Sequence, residues 1–167
     1  MEFLTWLQDH PISIWIVETD SVWAYPTVLA VHAFGLAILV GANTIVNFRL
    51  LGYMRGAPVS ALQTLFGPMW VGLALNTITG LLLWAASARV KSFVIMFWVK
   101  LAFIALAVVV LVRIRRVVSD WAKGGQASIP AGAGRLATLS FVYWSGAIIA
   151  GRLMAYLKWE WRFLGDG

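Results

Sequence analysis

The stretch from Tyr25 to Phe48, YPTVLAVHAFGLAILVGANTIVNF, contains no Asp, Glu, Lys or Arg. As an α-helix rising about 1.5 Å per residue it reaches about 36 Å, enough to cross the roughly 30 Å hydrocarbon layer of a bilayer. Three more stretches of membrane length follow, over about 66–86, 93–112 and 136–157, the third interrupted by Lys100 and the fourth by Arg152. This spacing predicts an all-α integral membrane protein: a four-helix bundle forming one membrane domain over residues 1–167.

The composition agrees. Of 167 residues, 61% are apolar and 12% charged, where a soluble domain carries roughly 25% charge. So few charges cannot cover a water-facing surface, and lipid is the implied solvent. The net charge of +6 and pI near 10.2 do not mark a nucleic-acid binder, because the basic residues are dispersed between membrane-length segments. The absence of cysteine removes disulfides, thiolate catalysis and Cys-ligated metal centres. The amino-terminal MEFLTWLQDHPISIW has no basic region before its apolar part and carries Glu2 and Asp9, so it is expected to stay on the mature chain. Residues 3–9 and 12–17 show helical spacing with a break at His10-Pro11, which predicts short interfacial helices within residues 1–24. Ser21 is a candidate N-cap for the first span. The connector 124–134, rich in Gly and Ala, is expected to be a flexible loop.

Arg49, Arg55, Arg113, Arg115, Arg116, Lys123 and Arg135 fall on one side of the bundle; Arg89, Lys91, Lys158 and Arg162 fall on the other. The positive-inside rule then places both termini outside. Trp6, Trp15, Trp23, Trp84, Trp98, Trp159 and Trp161 gather at that outer face, where they would meet headgroups, a partner or a cofactor.

Polar residues inside a span mark function. His32, Asn43 and Asn47 share a face of the first span, and Asn47 and Arg49 are expected to meet headgroups at its inner end. Gly72, Asn76 and Gly80 recur at the small-residue spacing that lets helices approach. Asn43, Asn47 and Asn76 are expected to tie helices together by hydrogen bonds. In the fourth span, Phe141, Ser145, Arg152, Tyr156 and Trp159 form a stripe expected to point inward. Counted from the outer ends, His32, Lys100 and Arg152 lie at one depth, about 8–11 Å down. No acid lies inside any span, so these groups imply a bound anionic ligand unless the two cations snorkel to the headgroups.

Haem b meets that requirement: His32 would be the axial metal ligand, with Lys100 and Arg152 on the propionates and Asn76 and Tyr156 completing the cofactor site. Met96, Met154 or an open position would stand opposite His32, since His10 precedes the first span. A quinone is the alternative, with His32 and Lys100 or Arg152 on its carbonyl oxygens. One His with scattered Met is a thin set for copper. No carboxylate pair, nucleophile triad, phosphate-binding loop or HExxH pattern is present, which leaves a hydrolase nothing to work with and favours a non-catalytic subunit.

VHAFGLAILVGANTIVNFRLLG (Val31 to Gly52), WVGLALNTITGLLL (Trp70 to Leu83), FWVKLAFIALA (Phe97 to Ala107) and AGRLMAY (Ala150 to Tyr156) resemble a family of small bacterial four-span membrane proteins classed as a domain of unknown function. They are also distantly similar to the membrane core of the D-type copper-resistance proteins and b-type cytochromes. The resemblance spans about residues 1–160 and includes His32, Lys100 and Arg152. It implies the cytoplasmic (inner) membrane of a bacterium. The expected function is a haem- or quinone-binding electron-transfer subunit, surrounded by membrane lipid and assembled with copies of itself or a larger redox complex. The alternatives are a structural or assembly subunit whose polar cluster binds lipid, and a small-solute or metal transporter.

Overall fold

The computed structural model describes residues 2–18, 23–124 and 128–156. Within them the chain forms α1 (Glu2–Gln8), α2 (Pro11–Glu18), α3 (Ala24–Leu50), α4 (Val59–Ala85), α5 (Ala88–Lys91), α6 (Ile95–Gly124) and α7 (Ala133–Tyr156). Helices α3, α4, α6 and α7 are long and apolar enough to cross a membrane, so the protein is a multi-pass membrane protein built as an all-α four-helix bundle.

The spans sit where hydropathy puts them, but two helices outrun them. Helix α4 begins at Val59, about two turns before Phe66, and carries Pro68 internally. Helix α6 continues to Gly124, three turns past Val112. Hydropathy marks the lipid boundary, whereas a helix ends only where its backbone stops, and Arg113–Lys123 contains no breaker. The end of α3 is set by Gly52, whose φ of 90° is open to glycine at little cost. Its N–H donates to the Arg49 carbonyl, and that of Tyr53 to the Phe48 carbonyl. That pair of bonds is a Schellman cap. At the other end, Trp23 occupies the cap position of α3 without a side-chain bond; Ser21 lies outside the described residues.

Packing is dominated by two antiparallel pairs, α3 with α4 and α6 with α7, joined mainly by α3 against α7 and α4 against α6. The first pair closes through glycine. A Cβ on Gly72 would lie 2.7 Å from the Gly35 carbonyl oxygen, and one on Gly35 would lie 3.0 Å from the Gly72 carbonyl oxygen. The backbones touch, and no side chain fits between them.

The core is concentrated toward one end. Leu39, Val46, Leu50, Leu62, Phe66 and Met69 of one pair meet Ala107, Leu111, Ile114, Val118, Ala137 and Trp144 of the other. We call this the basic end, because the α3–α4 turn and the charged tail of α6 lie there. At the opposite, histidine end the seam loosens along α3 and α6, where no residue before Ala107 of α6 is buried and none of α3 between Ala24 and Gly35, while Thr79 and Leu83 of α4 and Ala147 and Ala150 of α7 stay buried. Helices α1 and α2 lie across this end, α1 against α5 and α4 and α2 against α3. The Gln8 side chain accepts from the Arg89 backbone N–H at 3.3 Å. Phe3, Trp6, Trp15, Trp23 and Trp98 are all exposed there, as an interfacial layer requires; Trp159 and Trp161 lie outside the described residues.

Candidate cofactor site at the histidine end

His32 faces α4, and α4 fixes it at three points. Its Nδ1 lies 2.9 Å from the Thr79 hydroxyl. The Thr79 hydroxyl in turn lies 2.6 Å from the Leu75 carbonyl oxygen and 3.3 Å from that of Asn76. A hydroxyl has one proton to give. Donated to the Leu75 carbonyl, it leaves the Thr79 oxygen to accept Nδ1–H from His32. The hydrogen-bond network thereby assigns the Nδ1–H tautomer, with the lone pair on Nε2. The Asn76 side chain donates to the His32 backbone carbonyl at 2.9 Å. Gly80 supplies the third constraint, since a Cβ there would stand 3.3 Å from His32 Cε1.

Lys100 approaches from the other pair. Its stem runs across Gly151 of α7, where a Cβ would sit 3.6–3.7 Å from Cδ, Cε and Nζ. The ammonium groups of Lys100 and Lys91 both lie within electrostatic range of His32. Lys91 also donates to the Leu83 carbonyl at the end of α4. The structure therefore brings together His32, Asn76 and Lys100, one from each of three spans, across the loosened part of the seam.

Arg152 is exposed on α7, and the side chain of Tyr156 lies outside the described residues. The inward stripe expected on α7 is corrected: Ser145 is exposed like Arg152. The buried face carries Ala133, Ala137, Ser140, Trp144, Ala147 and Ala150. Phe141 of the expected stripe is half-buried, its ring 5.5 Å from that of Phe48, so the stripe turns outward at Ser145 and Arg152 only.

Arg49, expected at headgroups, is instead interior, and so is Asn47, also expected among the hydrogen-bonding asparagines, which bonds Asn43 within α3. Asn47 donates to the Asn43 side-chain carbonyl at 2.6 Å, and Ser140 donates to the same oxygen at 2.9 Å, so Asn43 joins α3 to α7. Arg49 is 7% exposed. Its Nε donates to the Ala57 carbonyl at 2.9 Å, and its guanidinium lies 4.7 Å from the Trp121 ring centroid, a cation–π contact. Trp121 sits on the extension of α6 beyond its apolar run, and hydropathy gives no sign of that cover. Ser140 escapes a reading based on charge, although its spacing from Ala133, Ala137 and Trp144 marks the buried face.

The second histidine, His10, stands at the turn between α1 and α2 with its ring 5.7 Å from Trp6. Among the described residues no three of His, Cys, Asp and Glu gather as a metal cage. Set against known protein families, curated proteins and solved structures, the chain matches none.

Proposed function

We propose that this chain is a membrane-embedded electron-transfer subunit that binds haem b in the loosened half of the seam through His32. The observation that carries this reading is the fixed imidazole. Ligating histidines donate their second N–H to a nearby acceptor, which sets the tautomer and strengthens the ligand. Thr79 is such an acceptor, and Nε2 is left with the lone pair a metal needs. Lys100 supplies a cation for a propionate, and the apolar walls of α3 and α6 exclude water. Half-buried Met96 and Met154 would offer thioether sulfur as a second ligand. Bound there, haem would supply a reversible one-electron couple. Both termini, and with them the histidine end, face outward across a bacterial cytoplasmic membrane, toward a second copy or a larger redox complex.

The test is the absorption spectrum of the purified protein before and after dithionite reduction. A Soret band with sharp α and β bands, lost in His32→Ala and retained with roughly 10–100-fold weaker haem affinity in Thr79→Val, is the expected result. A colourless protein that takes up no haemin overturns it. A second reading, a quinone, is favoured by the pairing of one imidazole with one ammonium across the seam, which suits a single carbonyl-bearing ring. It predicts co-purifying quinone that is lost in Lys100→Met.

A further inference from the structure

At the basic end, α4 and α6 part to leave a cleft of about 550 Å³, continued by a second of about 260 Å³. Trp70, Arg115 and Ser119 line both, so the two form one groove. On the α4 side it is open beside Gly67, where a Cβ would meet nothing within 4 Å. On the α6 side the lining residues Val112, Arg115, Arg116, Ser119 and Lys123 recur three and four apart along one stripe. The stripe crosses the lipid boundary: Val112 closes the apolar run, and Arg115 and Arg116 follow within about one turn. Three cations line the wider part against one carboxylate, Asp120. The Trp70 indole N–H is buried and has no partner, which is costly in an apolar surround.

We propose that this cleft binds one anionic phospholipid. Its phosphate oxygens lie against Arg115 and Arg116 in the field of Lys123, and an acyl chain runs along Phe66, Trp70 and Val112. The two halves of the cleft match the two halves of such a lipid. Guanidinium groups bind phosphate in forked geometry, and an apolar wall directly beneath them has nothing to offer a soluble anion. Basic pockets between spans at the membrane surface select acidic headgroups for this reason. The site lies at the opposite end of the bundle from His32 and stands independently of any cofactor there.

The experiment is native mass spectrometry of the full chain from nanodiscs of phosphatidylcholine mixed with phosphatidylglycerol. One phosphatidylglycerol per chain is expected to survive detergent exchange, with at least 5-fold less retained by Arg115→Gln and by Gly67→Leu. The second variant fills the open space and leaves every charge, and hence the topology, in place. Circular dichroism and size-exclusion profiles confirm that each variant is folded. Equal retention of the two lipids, or unchanged retention in both folded variants, overturns the proposal. So does a protein that, stripped of lipid, is stabilised as much by inorganic phosphate as by phosphatidylglycerol, because the ligand is then a soluble anion.

Discussion

At the residue scale, the interior of this bundle is held by a few polar side chains whose partners come from another helix. Asn43 is 2% exposed, and its side-chain carbonyl accepts from both Asn47 and Ser140. Replacing it with leucine keeps the volume close but strands both donors. Asn43→Leu is expected to cost about 1–2 kcal/mol, since buried polar groups left unpaired cost about 1–3 kcal/mol and measured interhelical bonds in membranes fall near the lower end. Unfolding in mixed micelles measures it; Ser140→Ala, which removes one donor and leaves Asn43 paired with Asn47, is expected to cost less. His32 belongs to the same scale. Its position and polarity can be read from the sequence, but the tautomer depends on Thr79, and no spacing rule links residues 47 positions apart.

At the element scale, the α3–α4 pair depends on glycine. Gly72→Leu places side-chain atoms where the Gly35 carbonyl oxygen stands, 2.7 Å from the first carbon added, so the helices must separate. Overpacking of this kind costs about 1–3 kcal/mol. Separation would also break the Asn76 bond to the His32 carbonyl and the Thr79 bond to the imidazole. The variant is therefore expected to lose ligand binding at His32 together with stability, both measured on one preparation by absorbance during thermal unfolding. The Gly72, Asn76, Gly80 repeat marks this face of α4 in the sequence, because small residues at intervals of four let helices approach. The buried face of α7 was less legible. Ser145 and Arg152 are polar and share a stripe, yet both are exposed, and Ser140 and Trp144 lie on the buried face instead; which face turns inward is a property of the pair that no single helix records. Arg49 was misread for a related reason: a charge at the end of a span ordinarily meets headgroups, and here Trp121 covers it.

For the whole molecule, the distribution of Lys and Arg predicts that the histidine end faces outward. A chain without cysteine makes that directly measurable. A single cysteine at Ser128, in the connector on the basic side, should be shielded from a membrane-impermeant maleimide in intact spheroplasts and react after permeabilisation. One at Phe3 should react in both. The reverse pattern inverts the topology while leaving the helix packing as described. Around His32, α3 buries no residue between Ala24 and Gly35 and α6 none before Ala107, so the way to a ligand there runs sideways from the bilayer, beneath the cover of α1 and α2. A hydrophobic molecule reaching His32 by this route arrives by lateral diffusion, and its effective concentration is the one it attains in lipid. Occupancy would then follow membrane partitioning, and a poorly water-soluble ligand could saturate the site at vanishing aqueous concentration.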